Sequence, residues 1–216
     1  HRTGEVYDAG RTRRGAHAAV LHDFGRGFSA FALLRGDLSD GKTLPLMPSV
    51  GLEYRPERLK GAAFKVNATR NYRQPTLNEL HWQPGGNPDL KPEKGYTADI
   101  AAAYLAKHGR FTYDGSITAY ASWIDDWILW RPAHDAAGPR NLRPENIRKV
   151  FARGLEILAS VRYDLGNLNL RLGGNYALTK TTNERPESGD DASKGRQLVY
   201  IPVHKGNLML AASYEG

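Results

Sequence analysis

The chain has 216 residues, no cysteine and a formal net charge of +7, enough length for one or two ordinary domains and no thiols for a disulfide framework or a thiolate metal site. Its cations are scattered, the nearest cluster being Arg11, Arg13 and Arg14. With neither a basic stripe nor an aromatic RNA-binding signature, nothing argues for nucleic acid as a partner, and crowded loops and a polar lumen are the expected home of the charge. No apolar run approaches the roughly 18 residues of a membrane-spanning helix. Strands of a membrane barrel escape that test, because they show lipid only at every second residue.

The first residues, HRTGEVYDAGRTRRG, contain no apolar leader region, so the chain is expected to be mature or, better, truncated. From about Arg14 it reads as an antiparallel meander of about nine strands with no convincing helix. Segments 16–23 and 28–36 flank Phe24-Gly25-Arg26-Gly27, and a loop follows at 38–46. Segments 49–55 and 62–71 flank a turn at 56–61. After a Pro/Gly-rich loop, 96–106 and 110–123 flank Lys107-His108-Gly109, and a second long loop is expected over 124–147. Segments 148–163 and 168–179 flank Asp164-Leu165-Gly166-Asn167, a turn-rich tetrad. A third polar loop spans 181–197, and the last strand reaches Tyr214.

Connections therefore alternate between short and long, the rhythm of an outer-membrane barrel with short periplasmic turns and long extracellular loops. The turns near residues 25, 58, 108 and 165 are expected on one side and the loops near 42, 84, 136 and 189 on the other. The period-2 pattern is sharpest in three strands. Ile117, Ala119 and Ala121 alternate with Ser116, Thr118 and Tyr120; Leu155, Ile157 and Val161 with Glu156, Ser160 and Arg162; Leu168, Leu170 and Leu172 with Asn169 and Arg171. One dry and one wet face follow, on strands long enough to cross a bilayer at a tilt. Tyr54, Tyr104, Tyr113, Tyr163 and Tyr214 fall in the dry register near strand ends, where an amphipathic ring suits a membrane interface.

Between the fourth and fifth strands lies RNYRQPTLNELHWQPGGNPDLKPEKG at 70–95, with Pro75, Pro84, Pro88, Pro92 and the adjacent Gly85 and Gly86. Proline fixes φ and donates no hydrogen bond, so this is the interior of neither helix nor sheet. Leu77, Leu80, Trp82 and Leu90 supply apolar anchors, and long loops with their own packing residues are functional or structurally obligatory. The ordered elements Arg73, Pro75, Thr76, Asn78-Glu79-Leu80, Gly86-Asn87-Pro88-Asp89-Leu90 and Pro92-Glu93 resemble the signature loop of TonB-dependent outer-membrane receptors, most of all the cobalamin and siderophore type.

That resemblance implies an all-β fold, part of a transmembrane barrel of about 22 strands around a plug. Residues 1–216 would be one segment of the barrel domain from its C-terminal half, without the plug or the terminal strands. It further implies import of a scarce solute (cobalamin, an iron-siderophore or haem) in the outer membrane of a Gram-negative bacterium. A TonB-type inner-membrane energy complex would act through the plug, with no cofactor and no enzymatic step. Partners would be the transported small molecule, the lipid bilayer and a surface protein that captures substrate. The rival classes are an outer-membrane barrel enzyme, which needs convergent catalytic side chains at the strand tops, and a soluble β-sandwich carbohydrate-binding module.

Candidate substrate contacts are Arg73, His81, Trp82, Trp127, Trp130 and Arg131, in loops at 73–94 and 124–147, above a polar wall of Asp114, Thr118, Tyr120, Glu156, Arg171 and Asn175. Trp123, Trp127 and Trp130 suit either an outer aromatic girdle or a stacking platform for a planar or sugar-like ligand. His81-Trp82 poses the same choice, with packing favoured. Asp125-Asp126 cannot form a two-carboxylate site alone, because neighbours on a strand face opposite ways. Glu184, Glu187, Asp190 and Asp191 lack EF-hand spacing, and the histidines form no metal motif. No nucleophile elbow or P-loop is present. The sequon Asn67-Ala68-Thr69 falls within a strand.

Overall fold

Alternation of period two along most of the chain produces one continuous antiparallel sheet. The computed structural model describes residues 8–83, 85–132, 142–185, 193–198 and 201–214. Its strands are β1 (Arg13–Gly25), β2 (Phe28–Ser39), β3 (Lys42–Thr43), β4 (Met47–Tyr54), β5 (Ala62–Arg73), β6 (Glu93–His108), β7 (Phe111–Pro132), β8 (Leu142–Asp164), β9 (Leu168–Asn183) and β10 (His204–Tyr214). They follow the order β1-β2-β4-β5-β6-β7-β8-β9-β10, with the two-residue β3 folded back on β2. Every pairing along that path is antiparallel. Among the described residues the sheet does not close, and β1 and β10 are its edges.

Directly opposed residues of antiparallel strands present their side chains on one face, so the register assigns every side chain to a side. One row runs Phe28–Tyr54–Phe64–Ala102–Ile117–Ile157–Tyr176–Gly206. It begins beside the β1–β2 turn and ends near the opposite end of the sheet, at the start of β10. This climb is the stagger that tilts the strands of a barrel. The face that carries the row, the outward face, also carries Val20, Leu34, Leu52, Val66, Ile100, Leu172, Leu208 and Leu210, all exposed. The other, inward face carries Lys65, Asn67, Asp99, Asp114, Thr118, Glu156, Arg171 and Asn175, and part of it lines a hollow of about 610 Å³.

The expected tyrosines all take the outward register, and three are stacked on phenylalanines: Tyr54 on Phe28 at 4.2 Å, and Tyr163 and Tyr113 on Phe111 at 4.5 Å and 6.0 Å. The four short turns share one edge of the sheet, as the alternating rhythm requires. Three expectations need correction. Residues 124–132 and 142–147 are strand, paired from Trp127↔Ile147 to Pro132↔Leu142. The contiguous Trp127-Ile128-Leu129-Trp130 hides the alternation there, and Pro132 and Pro144 read as breakers although they sit on paired positions near the hairpin end. In the 38–46 loop, β2 extends to Ser39 and β3 is added. The Pro/Gly-rich loop contains a helix, α1 (Leu77–His81).

Candidate functional site

The long loop between β5 and β6 is built residue by residue. Pro75, which lacks an N–H, follows β5, and Thr76 then caps α1. The Thr76 hydroxyl accepts from the Glu79 N–H at 3.1 Å while the Glu79 carboxylate accepts from the Thr76 N–H at 2.7 Å, a reciprocal capping box. A helix of five residues is too short to persist alone. What holds it is Arg73, the last residue of β5. Its Nη1 donates to Glu79 Oε2 at 3.1 Å and its Nε to Glu93 Oε2 at 2.7 Å. Arg73 and Glu93 are cross-strand partners at the top of β5 and β6.

Glu79 and Glu93 are buried, whereas the Arg73 side chain is 41% exposed. Glu93 Oε1 also accepts from the Ile128 N–H at 2.8 Å, tying the cluster to β7. Removing the Glu93 carboxylate would therefore strand the buried Ile128 N–H and part of the Arg73 fork, the costly way to break such a group. This crown lies beyond the apolar band. The hydrogen bond that the Arg73 guanidinium donates to Glu93, opposed by partial burial and reinforced by Glu79, raises the guanidinium above its already high ordinary value.

The loop then leans on the projecting β7–β8 hairpin. Trp82 meets Trp130 edge to face, with centroids 5.6 Å apart. A Cβ on Gly85 would stand 2.2 Å from the Leu142 carbonyl, so only glycine permits that approach. Asn87 Nδ2 donates to the Pro144 carbonyl at 2.9 Å. The Asn146 side chain accepts from the Lys91 N–H at 2.8 Å and donates to the Lys91 carbonyl at 2.9 Å and the Asp126 carbonyl at 2.6 Å. The Asx turn Asn87-Pro88-Asp89 closes with Asp89 N–H on Asn87 Oδ1 at 3.1 Å. From the other side, Arg11 donates to the Pro75 carbonyl at 2.7 Å.

The predicted residues separate into groups. Arg73, Glu79 and Glu93 form the ion-pair cluster, and Pro75 and Leu90 are buried. The Asn78 carbonyl accepts from the Trp82 N–H at 3.0 Å, and the Leu80 N–H donates to the Thr76 carbonyl at 3.1 Å. Pro92 is half-buried just before Glu93, and Gly86 lies against the Trp82 backbone. His81 ends the helix and Trp82 caps it, with Trp130 packed against Trp82. Trp127 and Arg131 lie in the outward register of β7, on the opposite side from Trp130, and Arg131 lies 3.9 Å from Glu145. Trp123 is outward too, stacked on Phe151 at 5.2 Å.

Of the polar wall, Asp114, Thr118, Arg171 and Asn175 line the inward hollow. The hydroxyls of Tyr120 and Thr179 lie 3.1 Å apart. The Tyr120 ring lies over Gly154, where a Cβ would stand 2.4 Å from the Leu178 carbonyl and 2.7 Å from the tyrosine oxygen. Asp125 and Asp126 go separate ways, to Lys149 at 3.8 Å and Lys94 at 4.0 Å. Glu184 accepts from the Thr182 hydroxyl; Glu187, Asp190 and Asp191 lie outside the described residues. Among the described residues no group of three or more His, Cys, Asp or Glu could hold a metal. The contacts of Asn146 to Lys91 and of Arg11 to Pro75 have no signal in the sequence, because nothing near either residue points to its partner.

A staggered two-faced sheet whose signature loop is pinned in this way invites comparison with known barrels. The family model described as TonB dependent receptor-like, beta-barrel matches residues 22–216. The chain belongs to this family. It is 36% identical over 95 residues to the Vitamin B12 transporter BtuB of Photobacterium profundum, a match covering 44% of this chain and 15% of that relative. Two solved structures share its fold. The FrpB iron transporter from Neisseria meningitidis (F3-3 variant) has a TM-score of 0.58 and 21% identity, covering 95% of this chain and 31% of that one. The copper transporter OprC has a TM-score of 0.66 and 18% identity, covering 95% and 34%. This TonB-dependent receptor segment thus spans about a third of each of those two barrels.

Proposed function

We propose that the segment is barrel wall from an outer-membrane receptor that imports a scarce solute, of which cobalamin is the first to test. The carrying observation is the division of the sheet into an exposed apolar face and a polar face, with a loop pinned across the outer strand ends. An exposed apolar face of this extent suits hydrocarbon, while the polar face suits a water-filled or plugged interior. The likeness to a Vitamin B12 transporter supports cobalamin as the solute, and the signature loop's resemblance keeps iron-siderophore and haem as the alternatives.

On this reading the crown presents His81, Trp82 and Trp130 toward arriving ligand, while Arg73 is a positioning residue that fixes the loop through Glu79 and Glu93. The wall alongside Asp114, Thr118, Arg171 and Asn175 faces the transport path. Uptake is binding followed by rearrangement, without covalent chemistry or a cofactor. Energy comes from a TonB-type inner-membrane complex acting on a plug outside this segment, and a surface protein could deliver the ligand.

The test is growth of a Gram-negative host lacking its own cobalamin and siderophore receptors, given the receptor that carries this segment. Rescue at nanomolar cobalamin that disappears when the TonB complex is deleted is the expected result. Rescue only on a ferric siderophore or haem would change the solute. Rescue that persists without the energy complex would end the active-transport reading.

A further inference from the structure

The outward face is apolar through its middle, yet near its outer end two cations stand side by side. Arg153 on β8 and Lys180 on β9 are directly opposed in the register, on the same face as Leu155, Ile157 and Leu178. From Tyr163, at the inner turn, β8 climbs ten residues to Arg153. At roughly 3.3 Å per residue and a tilt of about 40°, that is a height of roughly 25 Å, about that of the apolar band of such barrels. The pair therefore sits at the outer boundary of the band.

Arg153 is held in place. Its guanidinium lies 4.4 Å from the centroid of the Phe151 ring, and Nη1 donates to the Thr182 hydroxyl at 3.1 Å. Phe151 in turn stacks on Trp123, which is opposed to Tyr96 in the same outward row. Lys180 is exposed. Two other cations at this end, Lys149 and Lys94, each face a carboxylate, Asp125 and Asp126. Among the described residues neither Arg153 nor Lys180 makes an ion pair, and the Glu184 carboxylate bonds the Thr182 hydroxyl. Like charges placed directly opposite one another destabilise a sheet, and the hydrocarbon edge adds to the cost. An anion shared by both would remove the two penalties together.

We infer that Arg153 and Lys180 bind the phosphate of an anionic lipid headgroup in the outer leaflet. The arginine fork matches phosphate oxygens while lysine adds a point charge. Trp123, Phe151 and Tyr96 form an aromatic row at headgroup level, and Leu155 and Leu178 just below offer a surface to the acyl chains. Charge complementarity at the edge of an apolar face selects a lipid over a soluble anion. The inference rests on the reading that this face meets lipid, and is independent of which solute is imported.

The receptor carrying this segment, placed in phosphatidylcholine nanodiscs, is titrated with diphosphoryl lipid A, and bound lipid is read by native mass spectrometry. The double variant Arg153→Gln/Lys180→Gln should bind roughly thirtyfold more weakly. Lys65→Gln/Arg171→Gln on the inward face should bind like wild type, as a control for lost charge. Dephosphorylated lipid A should bind wild type as weakly as the diphosphoryl form binds the outward variant. Equal binding by wild type and the outward variant overturns the site, and displacement by millimolar inorganic phosphate overturns the lipid assignment. A receptor that fails to enter nanodiscs at all, seen by size-exclusion chromatography before any lipid A is added, overturns the lipid-facing reading beneath it.

Discussion

The crown and the wall are specified in different ways. Along β7 and β8 between the aromatic ends, a side chain answers mainly to one rule: apolar if outward, polar or small if inward. Ile117 and Ile157 are opposed on the outward face and both exposed. In the crown, Arg73, Glu79, Glu93 and Asn146 each satisfy partners that no other side chain would satisfy from the same place. The wall therefore tolerates exchange within a polarity class, and the crown tolerates almost none.

The strongest way to break this contrast is to offend the wall's single rule. Ile157→Arg, midway between Phe151 and Tyr163 on the outward face, should cost about 2–4 kcal/mol, while Ile157→Leu should cost less than about 1.5 kcal/mol. Urea titration of the receptor folded into vesicles measures both. Glu156→Lys, one residue away but inward, should cost far less than Ile157→Arg; equal costs would show that the two faces are not distinct.

In the crown, Glu93→Ala leaves the Ile128 N–H and part of Arg73 without acceptors. A local loss of about 2–3 kcal/mol is expected, seen as faster amide exchange at Ile128 with the wall unchanged. Undisturbed exchange there would remove the cluster's role in pinning the loop.

Gly154→Ala tests a wall position that behaves like the crown. Its Cβ meets backbone from Leu178 as well as the Tyr120 ring, so about 1–2 kcal/mol should be lost. Restoration by a second change, Tyr120→Leu, would place the strain on the ring, whereas no restoration would place it on the backbone. Thr76→Ala removes one half of the capping box and should cost about 1 kcal/mol, with protease sensitivity rising only around α1. A receptor whose wall loosens as well would mean that crown and wall unfold as one unit.

The wall was legible in the sequence because its two faces differ in polarity, and a strand writes that difference as alternation. Ile117 against Thr118 or Leu170 against Arg171 needs no partner to be read. The same method failed at Trp127-Ile128-Leu129-Trp130, where Ile128 is buried beneath the crown and Trp130 packs on Trp82. Apolar residues on both faces leave no alternation, so a paired hairpin looked like a loop. The helix was legible and overlooked: Thr76 and Glu79 have capping-box spacing, masked by the prolines around them.

By itself the chain determined its strands, its short turns, its two faces and the identity of its signature loop, since these depend on neighbours two or a few residues apart. Tertiary structure alone decided that Arg73 lies between Glu79 and Glu93, that Asn146 holds Lys91, and that Arg153 and Lys180 stand opposed on the outward face. Those meetings follow from strand register, and register is fixed by the summed pairing of whole strands that no single segment contains.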